Sequence, residues 1–209
     1  MLSHLPHPLF DASSNGGGSF GDLPEWDLSD LYTAPDAPEF SRDVDWLEKE
    51  CAAFAADYEG KLATLDAAAM LACVKRYERI ETVAGRIMSY AGLRYYQNTM
   101  DSDRAKFMGD AQETVTDATT PLVFFSLEFN RLDEAHLASL LAANADLARY
   151  KPVFDRMRAM RPHQLSDELE KFLHDQSTVG ASAWNKLFDE TMAGLMFSID
   201  GEEMNLEST

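Results

Sequence analysis

The stretch Cys73-Val-Lys-Arg-Tyr77-Glu-Arg-Ile80-Glu-Thr-Val-Ala84-Gly-Arg-Ile87-Met-Ser-Tyr-Ala91 decides the fold. Its residues Cys73, Tyr77, Ile80, Ala84, Ile87 and Ala91 recur in alternating steps of four and three. In an α-helix that spacing lines them along one seam, and a seam this long needs neighbouring helices to cover it. It predicts a long helix over 66–97 inside a bundle. Upstream, Phe40, Val44, Leu47, Cys51 and Phe54 follow the same rhythm and predict a helix over 38–58. Asp36 is placed to cap it with Glu39 reaching back as a capping box, and Gly60 to end it. Downstream, Phe107, Ala111, Val115, Ala118, Leu122, Phe125 and Phe129 form a further seam over 102–131. Pro121 removes one backbone donor in its interior, which predicts a kink.

Shorter helices are expected at 133–143, 146–160, 166–178 and 181–194, separated by Asn144-Ala-Asp146, Arg161-Pro162 and Gly180. Ser166 can cap the third of these, with Asp167 and Glu168 at its positive end. The pattern then changes period. Phe197 and Ile199 alternate with polar residues, Asp200-Gly201 is a favoured two-residue turn, and Met204 and Leu206 alternate again, which predicts a β-hairpin. The reading is all-α: an antiparallel multi-helix bundle with long helices over 25–195, followed by a short C-terminal β-hairpin over 196–209. Residues 1–24, with three prolines and Ser13-Ser-Asn-Gly-Gly-Gly-Ser19, read as a flexible tail. The triple glycine has no following Lys-Ser/Thr and no preceding strand, so it is not a phosphate loop. A lone hairpin is marginal in water, so its packing partners are expected beyond Thr209.

Charge excludes whole classes of partner. The 209 residues carry a formal charge of −18, with 36 acids against 18 bases. The acids concentrate at the ends, and the balanced middle intersperses its bases with acids, so no basic surface for nucleic acid or anionic lipid is expected. No apolar run approaches the ~20 residues that span a bilayer. The first basic residue is Arg42, so neither a secretory leader nor an Arg-rich transit peptide is indicated. Cys51 and Cys73 have no His or Cys at ligand spacing and read as buried reduced thiols, which fits a cytoplasmic setting.

The chemistry-bearing residues do not assemble a site by spacing. A zinc helix needs two His four residues apart, yet His4, His7, His136, His163 and His174 are followed at that distance by Pro8, Asp11, Leu140, Asp167 and Thr178. Asp133 with His136 reads as a helix cap rather than a metal pair, and Glu170 with His174 as an exposed pair one turn apart. No Gly-x-Ser-x-Gly elbow is present. Tyr90, Tyr95 and Tyr96, and Phe124, Phe125 and Phe129, are read as core in preference to a peptide channel. The run Arg156-Met-Arg158-Ala-Met-Arg161-Pro-His163 either binds a peptide carboxylate or, the favoured reading, pairs with the acidic ends of the domain. No catalytic residue, metal ligand or substrate-binding residue is assigned.

Three stretches carry a resemblance. They are Trp26-Asp-Leu-Ser-Asp-Leu-Tyr32; Tyr90-Ala-Gly-Leu93 with Asn98-Thr-Met-Asp101; and Arg161-Pro-His-Gln-Leu-Ser166 with Glu168 and Glu170. In order and spacing they resemble the N-terminal region of oligoendopeptidase F-like zinc metallopeptidases, in the thimet oligopeptidase superfamily (peptidase family M3). The resemblance implies a helical domain forming one wall of a channel that admits short peptides, joined to a catalytic domain with His-Glu-x-x-His and a downstream Glu ligand. There, a zinc-bound water activated by Glu would attack a peptide carbonyl polarised by the metal. This sequence lacks that motif, so no cofactor is expected within it, zinc is expected in the parent enzyme, and the chain alone is expected to be inactive. The implied partners are short peptides and the catalytic domain, and the isolated chain is expected to self-associate through surfaces left uncovered. The alternative is a stand-alone helical module that binds peptides or a partner protein.

Overall fold

The computed structural model describes residues 27–205. The expected tail at 1–24, Trp26 and Leu206 lie outside them. Helix α1 (Pro38–Tyr58) leads through a short 3-10 turn (Leu62–Thr64) to α2 (Ala67–Gln97) and α3 (Ser102–Thr119). A second 3-10 turn (Thr120–Leu122) precedes α4 (Val123–Arg131). Then come α5 (Glu134–Ala143), α6 (Ala145–Ala148), α7 (Lys151–Ala159), a third 3-10 turn (Arg161–His163), α8 (Asp167–Asp175) and α9 (Ala181–Gly194). Strands β1 (Met196–Ile199) and β2 (Glu202–Asn205) close the described residues as an antiparallel hairpin.

Helix α2 is the axis. It packs against both α1 and α3, and the short connections make the three successive helices antiparallel. Its expected seam is buried at Cys73, Ile80, Ala84, Ile87 and Ala91, with Tyr77 half-buried at the edge of the core. Tyr77 stacks on Phe125 with ring centroids 4.2 Å apart, and Phe54 meets Phe125 edge-on at 5.9 Å. At the other end Tyr32, Phe40, Tyr90 and Phe107 form a second aromatic group, with Tyr32 edge-on to Tyr90 at 5.4 Å. Such pairs contribute about 0.5–1.5 kcal/mol each beyond their area burial.

Local chemistry sets most boundaries. Asp66 caps α2, its carboxylate accepting from Ala69 N at 2.8 Å, and Asp101 caps α3 by accepting from Asp103 N and Arg104 N. Gly60 ends the α1 connection at φ +77°, a left-handed conformation that favours glycine. Glu128 pins this corner to α4, accepting from Gly60 N at 2.6 Å.

Three expectations need correction. Asp36 is not the cap of α1: the cap position is Ala37, and Pro38 supplies the start by presetting φ where no amide donor is needed. Glu39 instead accepts from the Thr33 hydroxyl at 2.6 Å. The helix expected over 146–160 is two pieces, α6 and α7, because Pro152, in the first turn of α7, has no amide hydrogen to offer the carbonyl of Ala148 four residues back, so the hydrogen-bond ladder cannot run through. The kink at Pro121 is a full 3-10 break that separates α3 from α4. The hairpin has its expected turn, with Asp200 and Gly201 at φ 54° and 88° and Phe197 opposite Met204.

Candidate functional site

The break at Pro121 borders an open cleft. Where α3 turns into α4, α8 is laid across the corner, leaving the cleft a volume of about 650 Å³ against α2. Two threonines at the corner hold α8 in place. The Thr119 hydroxyl lies 3.3 Å from His174 Nε2, and the Thr120 hydroxyl donates to Asp175 Oδ1 at 2.6 Å. The cleft walls include Glu81, Met88, Val115, Val123, Glu170 and His174. It is a mixed surface, and its one hydroxyl–imidazole contact, Thr119 with His174, has the hydroxyl donating to Val115 O at 2.8 Å, so the threonine meets the ring as an acceptor.

Glu170 and His174 do not form the expected pair. Glu170 Oε1 accepts from the Leu165 amide at 2.8 Å, while Ser166 caps α8 by accepting from Leu169 N. The carboxylate therefore secures the entry to the helix, and the imidazole its exit. Asp133 does cap α5, accepting from His136 N at 3.0 Å, which leaves its carboxylate committed to backbone. His136 Nε2 is enclosed without a partner, and His163 is exposed. Among the described residues no three His, Cys, Asp or Glu side chains come together at metal-binding distance. These residues do not fit a zinc centre.

The basic run is divided between two roles. Arg158 is almost fully covered and donates to Phe129 O at 3.1 Å and Leu132 O at 2.9 Å, satisfying carbonyls at the end of α4. Its carboxylate partner is Glu134 at 2.6 Å, from the balanced middle of the sequence and not from its acidic ends. Arg156 and Arg161 remain exposed. Cation pairing to the acidic C-terminal stretch comes from Arg131, which binds Asp167. Tyr90, Tyr95, Phe124, Phe125 and Phe129 are buried core, and Tyr96 alone of the two aromatic groups is exposed. Cys51 and Cys73 are free and buried; burial pushes both thiols up to about 12.

What periodicity alone missed is the state of the last elements. Neither α8 nor α9 buries a single residue. Leu169, Phe172 and Leu173 of α8, Trp184, Leu187 and Phe188 of α9, and Met196, Phe197 and Ile199 of β1 are all exposed large apolar side chains. The α8 and α9 sets follow the helical period, and Phe197 and Ile199 share one face of β1 with Met196 on the other, so each element carries an apolar side without a cover. The signal was present in the sequence as ordinary amphipathicity, which reports that a face needs burial and not what buries it.

Comparison with known proteins agrees with this geometry. A family model described as oligopeptidase F matches residues 128–197, from α4 into β1. Oligopeptidase PepF of Bacillus subtilis (strain 168) is 27% identical over 184 residues, covering 86% of this chain and 26% of that protein. The chain therefore spans about a quarter of the length of this curated relative. The crystal structure of oligoendopeptidase-F from Enterococcus faecium superimposes with a TM-score of 0.69 at 20% identity, covering 83% of this chain and 33% of that one. That last likeness is one of fold. The chain resembles an N-terminal region of the M3 oligoendopeptidase F type.

Proposed function

We propose that this chain is the N-terminal helical region of a longer oligoendopeptidase F-like zinc metallopeptidase, shaping the channel that admits short peptides while catalysis resides in the remaining length. The observation that carries this reading is the similarity to oligopeptidase PepF over most of the chain but only a quarter of the relative. One feature of the described residues supports it: the exposed apolar sides of α8, α9 and β1 suit a role as part of something larger. The buried reduced thiols fit a cytoplasmic setting.

The test is to read the coding sequence downstream of Thr209 and assay its complete product on a short fluorogenic peptide. A His-Glu-x-x-His motif, cleavage abolished by a zinc chelator and restored by zinc, and no cleavage by residues 1–209 alone are the expected results. Zinc-dependent cleavage by the 209-residue chain alone would overturn the proposal. So would a downstream sequence without the motif, which would favour a stand-alone interaction module.

A further inference from the structure

Twelve of the sixteen large exposed apolar side chains of the described residues fall between Leu165 and Ile199. That concentration identifies α8, α9 and β1 as the surface awaiting a partner, and charge states which partner. Residues 165–205 carry nine acids, Asp167, Glu168, Glu170, Asp175, Asp189, Glu190, Asp200, Glu202 and Glu203, against Lys171 and Lys186 alone. Asp167 is already paired with Arg131, and Glu190 faces Lys186 at 3.8 Å. Glu168, Asp189, Asp200, Glu202 and Glu203 have no ion pair among the described residues. The apolar sides are thus bordered by uncompensated carboxylates.

This pattern removes two occupants. A second copy would set the same acidic border against itself, and like-charge juxtaposition across an interface costs several kcal/mol. The chain's own N-terminal stretch cannot complement it either, since no Lys or Arg precedes Arg42. We infer that α8, α9 and β1 dock a polypeptide surface that is apolar at its centre and bordered by Lys and Arg. On the proposed peptidase reading, that surface belongs to the remaining length of the same protein. Apolar contact supplies the affinity, and the opposite borders fix register and exclude self-pairing.

The chemistry is tested on the 209-residue chain with a synthetic amphipathic helix of about 18 residues, Leu on one face and Lys on the other. A second peptide carries Glu in place of Lys. Fluorescence anisotropy of the labelled peptides should show the Lys peptide binding at least about tenfold more tightly than the Glu peptide. Binding should weaken several-fold as salt rises from about 50 mM to about 500 mM. The double variant Phe172→Ser/Phe188→Ser, altering side chains that are 57% and 63% exposed, should lose binding by about tenfold or more with helical circular dichroism unchanged. Glu190→Gln with Asp189→Asn should narrow the Lys/Glu preference without touching an apolar contact. Equal binding of the two peptides overturns the inference, as does Lys-peptide binding indifferent to the double variant. A dimer at low salt that the double variant disperses would instead make a second copy the occupant. The peptidase reading fails separately, on the downstream sequence, whatever the peptides do.

Discussion

Arg86 shows how one side chain joins the sequence signature to the fold. Its guanidinium lies over the Tyr32 ring, 4.4 Å from the centroid, donates to Leu31 O and approaches Asp43 Oδ2 at 3.3 Å. Tyr32 is fully buried and its hydroxyl donates to the same Asp43 oxygen at 3.0 Å. Leu31 and Tyr32 come from the first stretch that carried the family resemblance, so that stretch anchors the start of the domain onto α1 and α2. Arg86→Ala should cost about 2 kcal/mol, the sum of a charged hydrogen bond and a cation–π contact. Arg86→Lys should recover little of it, because a lysine cannot stack and fork at once. Urea denaturation of the three proteins checks both. The buried thiols give a second prediction. Cys51 and Cys73 are pushed from the ordinary 9.0 to about 12, so below pH 9 both states keep the proton and the thiols add no slope. Above it the unfolded chain releases protons that the fold retains, so stability falls as pH rises toward 12, by at most about 1.4 kcal/mol per pH unit per thiol. The urea midpoint of the reduced protein should decline between about pH 9 and 10, before the raised Tyr32 and Tyr77 phenols join in, and Cys51→Ala/Cys73→Ala should flatten that decline.

At the scale of elements, caps separate what the sequence disclosed from what it concealed. Asp66→Ala should cost about 1 kcal/mol, because its carboxylate satisfies an amide in the first turn of α2. Asp36→Ala should change stability by less than about 0.5 kcal/mol, although the spacing Asp36/Glu39 makes it look like the better cap. Thermal or urea unfolding of the two variants distinguishes them. The long helices were legible because their seams run over many turns, and one face must meet the core whatever its partner is. The break at Arg149–Tyr150 was not, because a single proline, Pro152, outweighs an otherwise continuous apolar pattern. Glu170 and His174 illustrate the limit at the cleft. One turn apart on a helix, they are natural partners in sequence, yet Leu165 N claims one and Thr119 the other; the first competitor is local to the start of α8, whereas the second, distant in sequence, is visible only with tertiary placement. Burial also orders local stability. Amide exchange should be slowest in the α2 core around Ile80 and Ile87, and faster by orders of magnitude in α8, α9 and the hairpin, which expose their apolar sides. Equal protection across these elements would show the C-terminal ones to be held by contacts within the isolated chain.

For the whole molecule, two forces of opposite range act on the same surface. The apolar sides of α8, α9 and β1 attract at contact, while a formal charge of −18, with residues 165–205 strongly acidic, repels copies at a distance. Electrostatic range is set by salt: the Debye length is about 30 Å at 0.01 M and about 3 Å at 1 M, whereas contact attraction between apolar groups is not weakened by screening. The isolated chain should therefore stay monomeric at low ionic strength and self-associate as salt rises, the reverse of an assembly held by ion pairs. Light scattering across a salt series measures this directly. Phe172→Ser/Phe188→Ser should keep the protein monomeric throughout, since it removes the attraction and leaves the charge. Association that weakens with added salt would mean that ion pairs rather than apolar sides join the copies. In a longer protein whose remaining length covers these elements, the salt dependence should vanish together with the exposed surface.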